Sequence, residues 1–420
     1  MIAAPDVRFK FTSELPLKYG ANAAAEFDDP NWPRFIRITD ITSTGGLRDE
    51  TFRSLPPEIA SGFELEVGDI LLARSGATVG KAFIYDASWG AACFAGYLIR
   101  SRTSERYEPK FLYWYLQSAP YWSEIQSNLI QATIQNFSAD KYANLHVPSP
   151  PLETQKQIAS FLDGKTAQID GLIAKKEVLL QQLAERRQAI LSQAVTKGLD
   201  STVPMKNSGI EWIGEIPAHW QVKPFKRAVF YQEGPGIMAA DFRDEGVPLL
   251  RVASVGERWA TLEGVNYLDP ELVSKKWAHF ATREGDLLIS ASATSGIVSE
   301  IGSETVGCIP YTGIIRLNPV PMVSTSPFIR HFVVSRQFVA QIDQLKAGST
   351  IQHFGPYHLG LMAMPVPPIE EQKEITAWLD GALAAASTAE QRVTKSVELL
   401  SEYRTALITA AVNGQIEGLR

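Results

Sequence analysis

The stretch GATVGKA at residues 76–82 sets two glycines and a lysine at nearly the spacing of a phosphate-binding loop. Such a loop cradles phosphates on backbone N–H groups, reaches them with the lysine and holds Mg²⁺ with the hydroxyl that follows. Here three residues separate the glycines instead of four, and Ala82 stands where the hydroxyl belongs. Two readings then remain open: a loop flanked by Arg74 and Lys81 and suited to a phosphate backbone, or a hairpin with solvated charges. The six histidines, His146, His219, His279, His331, His353 and His358, show no HExxH or other metal-ligand spacing. No Ser, Cys or carboxylate set stands out for nucleophilic or acid/base work, so catalysis is not expected from this chain alone.

Two short polar segments recur, TIQNF at 133–137 and TIQHF at 350–354. Their Gln135, Asn136, Gln352 and His353 carry groups able to read base edges, Gln and Asn pairing bidentately with adenine. Equally, they could fasten a globular head to the element that follows, with Phe137 and Phe354 as core anchors.

The recurrence belongs to a longer one. VPSPPLETQKQIASFLD at 147–163 returns as MPVPPIEEQKEITAWLD at 364–380, a shift of 217 positions. Held without gaps from Pro148–Lys197 to Pro365–Gly414, this register gives 17 identities in 50 positions, and upstream it sets GDILL at 68–72 against GDLLI at 285–289. It also sets Ala291 opposite Arg74 and Ser292 opposite Ser75, so the charge is not repeated. A repeat of this length divides the chain. The expected order is a first head over 1–147, a long helix over 148–199, a second head over 200–363 and a second long helix over 364–420.

The helices are read from their period. Ile158, Leu162, Ile169, Leu172, Leu179, Leu183 and Ile190 fall on alternating steps of four and three, with Lys165, Lys176 and Arg186 in the skipped places, a heptad seam. Pro150, Pro151 and Glu153 suit the start and Gly198 the end. About 44 residues from Thr154 to Lys197 would span roughly 65 Å. The second copy has Ala386, Ala389 and Ser396 at three seam positions, which either lets a larger-faced partner approach or reflects the helix preference of alanine. If the two helices pack together, connectivity makes them antiparallel. The heads read as mixed α/β, with strands in 34–41, 68–73, 81–86, 95–101, 285–290 and 312–317 and helices in 110–118 and 327–343. The fold class is therefore α/β: two mixed heads, two long helices in an antiparallel coiled coil, and an internal pseudo-twofold repeat.

Composition bounds the partners. Net charge is −6, and the four segments carry −3, +2, −2 and −3, so none offers the strongly basic surface that sequence-independent DNA binding needs. Positive charge for DNA would have to come from elsewhere. Cys93 and Cys308 cannot form a disulfide framework or a zinc site and read as buried small residues in a reducing cytoplasm. No window is apolar enough for a membrane helix, and MIAAPDVRFK lacks a signal-peptide core.

The two helix starts PPLETQKQI and PPIEEQKEI, the stretch GDILLARSGATVGK and SGIEWIGEIPAHWQV at 208–222 together resemble the specificity subunits of type I restriction-modification systems. Only SELPL at 13–17 answers WIGEIPAHW ahead of the first head. The resemblance implies two target-recognition domains, each reading half of a bipartite, asymmetric double-stranded DNA sequence, with the helix pair setting the unread gap. It implies two methyltransferase (M) subunits that bind S-adenosylmethionine and methylate adenine, and restriction (R) subunits that use ATP and Mg²⁺, with no cofactor in this chain. On that reading Arg74, Ser75, Lys81, Gln135, Asn136, Lys141, Ser292, Thr294, Gln352 and His353 are the loop candidates for DNA contact. The rivals are a scaffold that reads no DNA and a self-sufficient enzyme, for which the chain lacks an NPP[FY] methyltransferase motif.

Overall fold

A computed structural model describes residues 6–42, 45–130, 136–291, 297–346 and 354–419. The chain divides into two compact units, residues 1–178 with 394–420, and residues 179–393. Each unit holds one head and part of both long helices.

The first head is built on a four-stranded antiparallel sheet in the order Lys18–Tyr19, Leu98–Ser101, Ile70–Ala73, Ala82–Ile84. The second repeats the order with Val229–Glu233, Ile314–Pro319, Leu287–Ser290 and Val298–Glu300. Side chains of a strand alternate between faces, so the unbroken apolar run ILLA requires cover on both. Ile70 and Leu72 enter one core, Leu71 and Ala73 another. Leu287 and Ile289 likewise face one core while Leu288 faces a second. Each head adds a parallel pair, Arg34–Ile36 with Ala92–Phe94 and Val247–Leu250 with Ile309–Pro310. Two sequence expectations shift locally. The stretch 34–41 leaves strand after Ile36 for a 3₁₀ turn at Ile38–Asp40, and 327–343 is two helices, Ser326–Val333 and Arg336–Lys346.

The long helices run Leu152–Lys197 and Ile369–Val412, the first beginning two residues before Thr154 and ending at Gly198, whose φ of 73° suits a residue without Cβ. Within the first unit Ile158 and Leu162 share a core with Ile408, Ala411 and Val412, while Arg404 Nε donates to Asp170 Oδ1 at 2.8 Å. Within the second, Leu191 and Val195 share a core with Ile375 and Leu379, and Arg187 reaches Glu390 at 3.9 Å. In both units numbers rise along one helix as they fall along the other, so the pairing is antiparallel. The seam is less continuous than its period suggests: Leu172 is 49% and Leu179 39% exposed. Two helices alone bury only a narrow strip, and the small residues of the second copy offer little cover.

The repeated segment earns its repetition at the joint between head and helix. Gln155, buried, accepts from the Glu108 amide and donates to the Pro150 carbonyl; Gln372, 217 residues on, accepts from the Thr325 amide and donates to the Pro367 carbonyl. Two turns later Asp163 accepts from the Trp114 indole at 2.9 Å, and Asp380 lies 3.1 Å from His331 Nε2. Phe111 and Phe328, fully buried, anchor the two joints from the head side. A further strand pair closes each joint: Asp6–Arg8 with His146–Pro148, and Gln221–Pro224 with Ala363–Val366. Phe9 and Phe225 follow, each donating its amide to the carbonyl of Leu145 or Met362. The counterpart of the HWQVKPF end of the second-head motif is thus DVRF at 6–9 and not SELPL.

His331 sits 2% exposed where the first head has tryptophan, and burial, reinforced by Arg330, lowers its pKa from 6.5 to about 4. The folded ring stays neutral over a range in which the unfolded chain takes up a proton. Stability contributed by this site is therefore full above pH 6.5 and falls as pH drops toward 4, by on the order of 3 kcal/mol. Thermal unfolding across that window is expected to show the loss, and His331→Gln to flatten that part of the slope.

Candidate nucleic-acid interface

The loop after Ile70–Ala73 is held from three sides. Tyr142 donates to the Ala73 carbonyl at 2.6 Å and accepts from the Gly80 amide at 3.1 Å, and Tyr121 donates to the Gly80 carbonyl at 2.6 Å. Both phenols are fully buried, and burial raises their pKa, so each remains a protonated donor. Gly80 has φ 87°, and a Cβ there would lie 2.8 Å from the Trp122 ring, so backbone conformation and space both demand glycine. The loop makes a 3₁₀ turn at Gly76–Thr78 and enters the antiparallel strand Ala82–Ile84. A phosphate loop leads into a helix whose N-terminus faces the phosphates. This one closes a hairpin, which settles the near-match GATVGKA against a nucleotide loop.

The same pinning gathers several candidates. Ser75 bridges to Asn136, and the Phe137 amide donates to the Arg74 carbonyl at 2.7 Å. Arg74 lays its guanidinium over the Tyr19 ring at 4.8 Å and donates to the Gly96 carbonyl at 3.3 Å. Its Nε and Asn136 Oδ1 are buried with no partner among the described residues. Lys141 lies over the Phe137 ring at 5.6 Å. Arg74 and Ser75 line a cleft of about 790 Å³ with Tyr19, Arg37 and Tyr97. Lys81, exposed, lines a separate cleft of about 650 Å³ with Arg48 and Trp122. Gln135, Ser292, Thr294, Gln352 and His353 lie outside the described residues. In the second head Ala291 occupies the place of Arg74, accepting from the Phe354 amide at 3.2 Å.

Phe137 and Phe354 are buried core anchors, as their position in the repeat suggested. Tyr121 and Tyr142 carry the loop yet have no sequence signal of their own; two buried hydroxyls answering one glycine become visible only in three dimensions. Cys93 and Cys308 are buried and unpaired, burial pushing their thiols to about 12 and about 11. Among the described residues there is no cluster of His, Cys, Asp and Glu able to hold a metal, and no helix long and apolar enough to cross a membrane. Replacing Tyr142 with Phe removes the buried hydroxyl shared by the Gly80 amide and the Ala73 carbonyl and leaves these two only their own 3.2 Å bond, a cost of roughly 0.5–1.5 kcal/mol. A lower urea midpoint and faster hydrogen exchange at Gly80 are the expected signs.

Residues 34–181 match the family model described as type I restriction modification DNA specificity domain. The chain is 27% identical over 239 residues to the type I restriction enzyme MjaVIII specificity subunit of Methanocaldococcus jannaschii, covering 55% of this chain and 54% of that one. It is 23% identical over 398 residues to the EcoBI specificity subunit of Escherichia coli, covering 91% and 79%. In fold it is similar to a chain from a solved type I R-M system studied for complex assembly and conformational transition, with a TM-score of 0.77 at 15% identity over 99% of both chains. The HsdS subunit from Thermoanaerobacter tengcongensis follows with 0.55 at 16% identity, covering 99% of this chain and 98% of that one. With the same head and joint built twice on paired helices, the chain carries a type I restriction modification DNA specificity domain over residues 34–181 and is similar along most of its length to type I restriction enzyme specificity subunits.

Proposed function

We propose that this chain selects the DNA sequence for a type I restriction-modification complex in the cytoplasm. Each head recognises one half of a bipartite, asymmetric target through the major groove, and the helix pair sets the number of unread base pairs between the halves. Two methyltransferase subunits dock on the helices and heads, bind S-adenosylmethionine and methylate adenine; restriction subunits using ATP and Mg²⁺ join for cleavage. The chain itself specifies and does not catalyse. The observation that carries this reading is that the joint is built twice on the same aspartate and buried glutamine while the loops at the strand ends differ, Arg74 standing where the other head has Ala291. A shared mount with different tips is what an asymmetric two-part target requires. The net charge of −6 supports a division in which the partners supply much of the phosphate-neutralising surface.

Exchanging residues 1–147 for the head of another family member, in cells that carry the partner subunits, is expected to change one half of the methylated sequence and leave the other intact. Methylation mapping that finds both halves unchanged would favour the scaffold reading. Half-sites read on one face of B-DNA tend to lie about 34–36 Å apart. Inserting one heptad within residues 165–190 is therefore expected to lengthen the unread gap or abolish activity without altering either half. The same mapping checks it, and an altered half with an unchanged gap would count against the spacer role.

A further inference from the structure

The two heads place opposite charges at one equivalent point. Gly20 and Gly234 mark it: a Cβ on the first would lie 2.3 Å from the Phe94 carbonyl oxygen and 2.4 Å from that of Ala95, and a Cβ on the second 2.1 Å from Pro310 and 2.5 Å from Tyr311. Both glycines follow the first strand of their sheet, so the residues before them, Tyr19 and Glu233, are counterparts. Arg74 and Ala291 follow the third strand in each sheet, and each carbonyl accepts from the repeated phenylalanine. Gly96 and Gly313, 217 residues apart, precede the neighbouring strand. In the first head Arg74 donates to the Gly96 carbonyl; in the second Glu233 Oε1 accepts from the Gly313 amide at 3.1 Å. Three strand ends thus converge on a guanidinium braced against Tyr19 in one head and on a carboxylate in the other. Neither group has an ion-pair partner among the described residues.

The sign reversal decides what this point faces. A position reserved for phosphate would favour a cation in both heads, because a carboxylate there repels the backbone. A position facing base edges admits either sign, since the edges offer both acceptors and donors. A guanidinium matches the O6 and N7 acceptors of guanine, and a carboxylate accepts from N4 of cytosine. We propose that Arg74 reads a guanine in the half-site of the first head and that Glu233 reads a cytosine in the half-site of the second. This rests on the reading that the heads bind DNA.

The test uses the full chain with its partner subunits in cells free of other adenine methylation, mapped by single-molecule sequencing. Arg74→Lys keeps the charge but loses the fork. It is expected to relax one guanine position in one half, with discrimination falling on the order of tenfold or more, and to leave the other half unchanged. Glu233→Gln keeps the acceptor that holds the Gly313 amide and turns the outer atom from acceptor to donor. It is expected to replace cytosine by a purine at one position of the other half. Unchanged letters in both variants would overturn the proposal, and so would a uniform loss of methylation by a variant that folds and assembles, the mark of a backbone contact. If the Arg74 variant fails to fold, the Glu233 variant decides alone. The exchange of residues 1–147 in the same assay separates the two levels: a changed half-site keeps DNA reading while point variants without effect remove only this assignment.

Discussion

Gln155 and Gln372 carry side-chain amides into the joint between head and helix, where water is excluded and every donor and acceptor must find a partner in the chain. Each amide answers one backbone group at the start of a head helix and one in the Pro-Pro turn, and Gln372 also donates to the Val323 carbonyl. Removing either side chain strands a buried amide N–H and a carbonyl. The joint therefore tolerates little variation, and it fixes the direction in which the long helix leaves the head. Asp163 and Asp380 repeat the arrangement two turns on, with an indole N–H in one copy and an imidazole in the other. The donor's chemistry changes; the demand for a donor does not.

Away from the joint the constraint is weaker. The strands Ile70–Ala73 and Leu287–Ser290 are buried on both faces, while just beyond them the half-buried Arg74 of one head answers a buried alanine of the other. This is where Arg74 gives way to Ala291 and Tyr19 to Glu233. The separation is physical before it is functional: buried hydrogen-bonded groups hold the mount, whereas Tyr19, Arg74 and Glu233 are not fully buried and differ between the heads. In the first head even the free end is braced, since Tyr121 and Tyr142 hold Gly80 and Tyr19 carries the Arg74 guanidinium.

Much of this could be read from the residues. A constant shift of 217 and a heptad period locate both long helices and both joints, because helical period and buried polar pairs leave strong marks in sequence. The heads were legible as mixed α/β, but not their strand order, which depends on pairings between distant segments. GATVGKA looked like two things because a hairpin and a phosphate loop share their glycines until the following element is known. Glu233 went unseen for a simple reason. Gly20 pairs with Gly234 at a shift of 214, so the constant register sets Tyr19 against Gly236 and hides the carboxylate. DVRF was missed in the same way, Phe9 answering Phe225 at a shift of 216. Small length changes in loops slip the register where the heads differ most.

Because the Pro-Pro turn and its glutamine are the same in both copies, the coding sequence carries two interchangeable splice points. A crossover between them would remove 217 codons yet regenerate an intact amide clamp at the new junction, leaving a half-length product with one head and one helix. The repeat thus gives the gene a route by which it can lose, duplicate or trade a module without having to reinvent the fitting that seats it.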